Sequence, residues 1–254
     1  MSVIWHKVWR DLWHNKLRTA LVILATAVGV FSLGFVYGTA GLMNRRMTES
    51  HRESRFPHVT LFTSRFDRET VERIRRQPGV ADAEGETVTS IRWKLPGQKD
   101  WRDGTLYTRD DYTAQQMDLW TLAAGRWPDQ ADLQAHTART LAVERLSSRH
   151  YRIPLGATIL VEFGRHEREI PITGLVRHSQ VQPPQLGGNA VFFANQETMA
   201  WLTDQRQGFN RMNVLLTSYD EDQANAAAEG IQERLEEMGV QVGGFTVTDP
   251  DVHW

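Results

Sequence analysis

The chain has no cysteine in its 254 residues, so disulfides, zinc–thiolate centres and thiol nucleophiles are excluded. It lacks a surplus of either charge: 29 Lys and Arg stand against 31 Asp and Glu, a net charge of −2. No basic stripe interleaved with aromatics is present, and nucleic acid is not an expected partner. No G-x-x-x-x-G-K-[ST] occurs, so the chain has no P-loop with which to hydrolyse ATP. No G-x-S-x-G occurs either. His166-Glu167 opens like a zinc-protease helix, but Ile170 stands where the second histidine ligand belongs. None of the nine histidines has the i, i+4 spacing of a helical metal pair. The neighbouring carboxylates Asp110-Asp111, Asp220 to Asp222 and Glu236-Glu237 fall at a hairpin, a helix start and a helix end, where capping or solvation is expected. No catalytic, cofactor-binding or metal residue follows from these patterns, and no cofactor is expected.

Long apolar runs are also scarce, with one exception. Mean hydropathy is −0.45, yet "LRTALVILATAVGVFSLGFVYGTAGLMNRR", Leu17 to Arg46, carries no charge between Arg18 and Arg45. As a helix, these 26 uncharged positions span about 39 Å, more than the hydrocarbon core of a bilayer. A buried soluble helix rarely stays uncharged so long, and a membrane-inserted helix is expected. A cleaved signal is the rival, with Gly38 and Ala40 of "YGTAG" at the positions a signal peptidase reads. The run, however, exceeds the length of a signal core.

What precedes the run also differs from a signal. In "IWHKVWRDLWHNKLR", Ile4, Trp5, Val8, Trp9, Leu12 and Trp13 fall on one helical face. His6, Lys7, Arg10, Asp11, His14 and Lys16 fall on the other. That pattern predicts an interfacial amphipathic helix over 1–16, with Trp5, Trp9 and Trp13 at the membrane interface. Within the run, Ala25 and Gly29 are four apart, as are Gly34 and Gly38. Such spacing lets another helix approach. Nine residues at 100° each set Ala25 and Gly34 on opposite faces, which suits a helix with neighbours on both sides. The basic residues are balanced across the span (Lys7, Arg10, Lys16 and Arg18 before; Arg45, Arg46, Arg52 and Arg55 after), so charge does not set the orientation. The helix is expected to continue as a stalk to residue 55, with Pro57 ending it.

Two later stretches read alike as strand, helix, strand. The first is "HVTLFTS", "RFDRETVERIRRQPGV" and "ADAEGETVTSIRW". Asp67 is its helix cap, Val71 and Ile74 face inward, and Pro78-Gly79 stops the helix. The second is "RMNVLLTSY", "DEDQANAAAEGIQERLEEMGV" and "QVGGFTVTD". Asp220 or Ser218 caps it, Ala224, Ala227, Ile231, Leu235 and Met238 keep helical spacing, and Gly239 closes it. The fold class is therefore α+β: an N-terminal amphipathic and transmembrane helix, then a domain of two βαβ units with a β-rich inserted subdomain. The expected divisions are 1–16, 17–55, a discontinuous α/β subdomain over 56–103 and 210–248, an insertion over 104–209, and 249–254. The insertion holds a hairpin in "ATILVEF-GRH-EREIPITGLV", an irregular loop at "QVQPPQLGGN", and a strand "AVFFAN" before a helix "QETMAWL".

This order of parts resembles the first transmembrane helix and extracytoplasmic core domain of MacB/FtsX-like ABC transporter permeases. The stretches that carry it are "VWRDLWHNKLRTALVILATAVGV", "RRQPGVADAEG", "LAAGRWPD", "LAVERLSSRHYRIPLGATILVEF" with "IPITGLVRH", and "MNVLLTSYDEDQANAAAEGIQERLEEMGV". The resemblance implies a permease that pairs as a homodimer or heterodimer and binds a separate or fused ATP-binding cassette ATPase. It implies residence in the inner (cytoplasmic) membrane, the N-terminus cytoplasmic and the bulk extracytoplasmic, with export or force transmission as the task. In that family the chain returns to the membrane after the core domain, so "TVTDPDVHW" is expected to be the start of that return, in a truncated form. The residues themselves leave open a single-pass anchored binding or adaptor protein without ATP coupling.

Overall fold

A computed structural model describes residues 16–128, 139–178, 181–204 and 206–249. In chain order the helices are α1 (Lys16–Ser54), α2 (Arg68–Arg75), α3 (Arg145–Tyr151), α4 (Gln196–Thr203) and α5 (Glu221–Glu237). The strands are β1 (Val59–Phe66), β2 (Val80–Lys94), β3 (Arg102–Thr108), β4 (Thr121–Gly125), β5 (Leu141–Glu144), β6 (Thr158–Phe163), β7 (His166–Arg177), β8 (Ala190–Ala194), β9 (Phe209–Leu216) and β10 (Val242–Val247). Two compact units divide within α1, between Glu49 and Ser50.

Helix α1 is long because nothing in Lys16–Ser54 breaks it: no proline interrupts the run. It stops ahead of Pro57, which disfavours helical backbone at the residue before it. Lys16–Thr39 is long and apolar enough to cross a membrane, and none of its hydrophobic window is buried within the chain.

In the second unit, β1–α2–β2 and β9–α5–β10 do form the two predicted βαβ units, and they interleave. The strand order is β10-β1-β9-β2, with β1 antiparallel to both β9 and β10 and β9 antiparallel to β2. Each unit thus receives one strand of the other between its own two, the ferredoxin-like split arrangement. Both helices cover one face, where Val59, Leu61, Val71, Ile74, Ala83, Met212, Val214, Ala224, Ala228, Ile231 and Leu235 share one core. The caps fall as the sequence predicts. Asp67 accepts from the Thr70 N–H at 2.9 Å, and that bond holds its carboxyl below the usual range. Asp220 accepts from the Gln223 N–H at 3.0 Å.

The long strand β2 joins two sheets. Its residues 80–86 pair with β9, its residues 87–93 pair with β3, and its residues 92–94 pair with β6. From there β2, β3, β8, β5, β7 and β6 close into a ring, because β6 pairs with both β7 and β2. Closure leaves these six strands no free edge. The interior holds Ile91, Trp93, Leu106, Leu141, Val143, Ile159, Val161, Ile170, Ile172 and Phe192, with Met199 and Leu202 of α4 in the same cluster. Strand β8 is buried at every position, since Val191 and Phe193 pack outward against Tyr112, Trp120 and Trp127. That explains its unbroken apolar run. The Pro/Gly loop read as irregular contains one 3₁₀ turn, Pro184–Leu186.

Gly174 of β7 sits where Arg126 crosses the barrel wall. A Cβ there would lie 2.3 Å from the Arg126 carbonyl oxygen, and that backbone cannot withdraw without losing the Arg126 N–H bond to the Thr173 carbonyl at 2.9 Å. Gly174→Ala is expected to destabilise the domain by about 1–3 kcal/mol, read as a lowered urea midpoint with unchanged slope.

Candidate functional site

Trp5, Trp9 and Trp13 lie outside the described residues. Ala25, Gly29, Gly34 and Gly38 all lie on α1, exposed along the chain's own surface. A Cβ built at Gly29, Gly34 or Gly38 meets nothing within 4 Å, so within the described residues no other element packs against these positions. Among the described residues no group of three or more His, Asp and Glu is arranged to hold a metal ion. The paired carboxylates act locally: Asp110 is bound by Arg68 at 2.7 Å, Asp111 accepts from the Thr113 N–H at 2.7 Å, and Glu237 is bound by Arg234 at 2.6 Å.

Two polar sites are buried where β1 and β2 meet the connecting segments. The first is His58, just before β1. Its Nδ1 accepts the Leu216 N–H at 3.1 Å, its carbonyl accepts the Thr248 N–H at 2.9 Å, and Tyr219 packs edge-on at 5.3 Å. An Nδ1 that accepts must be unprotonated. Burial accordingly lowers the pKa of His58, against the opposing pull of Asp249. A folded-state pKa below the unfolded value favours folding above the ordinary imidazole range, and the advantage drains as pH falls towards the depressed value. The domain is expected to lose a few degrees of melting temperature between about pH 7.5 and pH 5.5. His58→Gln should flatten that slope in a thermal melt.

The second site is larger, and none of its members was singled out for function by the sequence. Loop 109–120 crosses the open face and edge of β2. Arg109, almost fully buried, donates through Nη1 to the Met117 and Asp118 carbonyls and to Gln115 Oε1, each at 3.1 Å. Its Nη2 reaches Asp118 Oδ2 at 3.3 Å. Glu84 and Glu86, on β2, lie 3.7 and 3.6 Å from its guanidinium, within Coulomb reach and too long for hydrogen bonds. Its planar face stacks on Trp120 at 3.8 Å. Asp118 Oδ2 also accepts the Trp120 indole N–H at 2.9 Å and faces His178 Nε2 at 3.2 Å. Burial alone would raise the Asp118 pKa; its bonds to His178, the Arg109 charge and Trp120 hold it below the usual carboxylate range. Burial pushes Glu84 up, with Arg109 opposing. Arg211 of β9 touches Glu86 at 3.4 Å. Finally, the Asp118 N–H donates to the Arg55 carbonyl at 3.0 Å, which ties the residue after α1 to the middle of the cluster. Glu84 and Glu86 on a strand face that is polar on every second residue, followed by Arg109, were the available signal. The sequence did not show that a loop would bury them.

Among the described residues the arrangement sets no nucleophile beside a general base, and a cavity of about 230 Å³ lined by Arg68, Glu84, Arg109 and Asp110 opens beside it. The cluster fastens a loop, two sheets and the chain after α1 to one another. The family model described as MacB-like periplasmic core domain matches residues 19–234. No curated protein matches the chain. Among solved structures, the extracellular domain of the noncanonic ABC-type transporter YknZ from Gram-positive bacteria is 13% identical, with a TM-score of 0.47, over 74% of this chain and 99% of that one. The periplasmic region of MacB from Actinobacillus actinomycetemcomitans is 13% identical, TM-score 0.48, over 76% and 88%. A domain of a permease protein from Porphyromonas gingivalis is 18% identical, TM-score 0.46, over 77% and 94%.

Proposed function

The chain belongs to the MacB-like periplasmic core domain family, and on that premise we propose that it is the membrane permease component of an ABC transporter. A partner ATP-binding cassette ATPase moves its extracytoplasmic domain, in export or mechanotransmission, and two permease chains pair as a homodimer or heterodimer. The observation that carries this reading is the extent of the family match, which begins inside the apolar helix at residue 19 and runs to residue 234. It thus takes in a helix fit to span a bilayer together with the domain. On this reading the N-terminus is cytoplasmic, Trp5, Trp9 and Trp13 lie at the inner interface, and Ala25, Gly29, Gly34 and Gly38 face neighbouring helices of the assembly. Residues 56–103 with 210–248 supply the base, and 104–209, joined by the second half of β2, the inserted subdomain. The domain works as a moved part and does no chemistry of its own.

The absence of cysteine makes the test direct. Ser218→Cys, at an exposed position, is expected to react with a membrane-impermeant maleimide on spheroplasts, and Ser2→Cys only after lysis. A co-expressed ATP-binding cassette ATPase is expected to co-purify with the chain in detergent. Labelling of Ser2→Cys from outside would overturn the orientation. Purification free of any such ATPase, from cells expressing both, would overturn the coupling.

A further inference from the structure

We propose that β10 is an interface strand: two copies of this chain join their β10 strands antiparallel, about a two-fold axis at Thr246, into one continuous sheet. The inference rests on the proposed pairing of permease chains and deepens it, naming a second copy as the partner and β10 as the contact. Among the described residues β10 has one neighbour in the sheet, β1, so one side of its backbone is left without a strand. Such edges are normally blunted by lysine, proline or another charge. Residues 241–248 hold none of these. At the other end of the sheet, β4 is less fit to pair: its ladder with β7 shifts between Leu122 and Ala124, in the middle of the strand. In β10 the irregularity falls at Gly243, near one end, and residues 244–247 stay in register with residues 59–62.

The ladder with β1 fixes which backbone groups face outward. The Thr248 N–H donates to the His58 carbonyl at 2.9 Å. The hydrogen-bonded pairs with β1 therefore fall at Thr248, Thr246 and Gly244, and the N–H and C=O of Val247 and Phe245 point to the open side. A two-fold axis at Thr246 sets Phe245 of each copy opposite Val247 of the other, and each such pair exchanges two N–H···O=C bonds. Phe245 and Val247 are partly buried on the helix-covered face, where an aromatic beside a β-branched residue is a favourable cross-strand pair. On the open face Thr246, which is exposed, meets its own counterpart. Gly244 leaves room for Thr248 of the other copy, since a Cβ built at Gly244 meets nothing within 4 Å. The nearest charge, Asp249, falls opposite Gly243, so no like charges meet. The strand read backwards thus fits itself, and this self-complementarity selects a second copy over an unrelated strand. The edge alone is smaller than a free-standing interface; two copies held in one bilayer meet at a high effective concentration, which a short edge can exploit.

The test uses the full chain in lipid vesicles at low density, where the lack of native cysteine lets single introduced thiols report. Across a non-hydrogen-bonded antiparallel pair the Cα atoms stand about 4.5 Å apart, within reach of a disulfide. On mild oxidation Thr246→Cys is expected to give roughly tenfold more covalent dimer than Ser218→Cys, an exposed position on the β9–α5 connection. Val247→Pro removes an outward N–H and leaves the bonds to β1 in place; added to Thr246→Cys, it should bring the yield down to the Ser218→Cys level. Stepwise photobleaching of chain labelled at Ser2→Cys counts the copies per assembly independently. Paired chains in which Thr246→Cys yields no more dimer than Ser218→Cys would overturn β10 as the interface and leave the pairing standing. So would a Thr246→Cys yield that Val247→Pro does not change. Single copies throughout would overturn the pairing and the interface with it.

Discussion

Arg109→Met is expected to cost the domain about 3–5 kcal/mol, because it leaves buried carboxylates without their main counter-ion. Arg109 touches Glu84, Glu86 and Asp118 and also holds the Met117 and Asp118 carbonyls. Methionine fills much of the volume and takes over none of these bonds. Arg109→Lys keeps a charge but loses the planar fork and the stacking on Trp120 at 3.8 Å, so it should fall between the two. Adding Glu86→Gln to Arg109→Met should restore part of the loss, since one stranded charge disappears. The measurement is chemical unfolding of the detergent-solubilised chain followed by tryptophan emission. A loss below about 1 kcal/mol for Arg109→Met would show that water reaches the cluster and that the carboxylates are not dependent on this residue.

How much of this was legible beforehand depends on the range of the interactions. The α1 run, the caps at Asp67 and Asp220, the inward Val71 and Ile74, and the β6–β7 hairpin are local patterns, and the structure has them where the sequence placed them. The helical stripe of α5 differs by one position: Ala228 is fully buried and Ala227 partly so. Both alanines fit the spacing, and only the tilt of the helix on the sheet chooses between them. The interleaving of the two βαβ units was not legible, because β1 meets β9 across about 150 residues and nothing local records which strand lies between which. The same holds for closure of the barrel, which depends on β6 finding β2.

The polar cluster was hidden for a related reason. Asp110 and Asp111 drew notice as adjacent carboxylates and turn out to serve a salt bridge and a turn. Asp118, eight residues later, is the buried one, and its neighbour in sequence is a leucine. Burial of an acid is fixed by what folds over it, here Arg109 and Trp120 at the two ends of its own loop and His178 from a distant segment. The helix-packing positions of α1 are the opposite case: their spacing is plain in the sequence, and nothing among the described residues meets a Cβ at Gly29, Gly34 or Gly38.

Trp93→Ala is the second large effect, with an expected cost of about 3–5 kcal/mol. Trp93 is fully buried in the barrel, edge-on to Tyr151 and Phe192 at 5.3 Å each, and its indole N–H reaches the Asp103 carbonyl at 3.3 Å. Gly104, on the neighbouring strand β3, is shaped around it: a Cβ there would stand 2.8 Å from Trp93 Cδ1. Gly104→Ala alone should therefore cost about 1–3 kcal/mol by overpacking, and less in a Trp93→Ala background, where the closest contact is gone and those with Phe192 at 3.2 Å and the Ala190 carbonyl at 3.3 Å remain. Equal costs in both backgrounds would show that the two residues do not share this space. Because β2 carries Trp93 in the barrel and Ala83 in the α/β core, the loss should lower one cooperative transition and not split it. A separate early transition, with the α/β core still folded, would mean that the shared strand does not couple the two sheets, and that force applied to one would not be carried rigidly to the other.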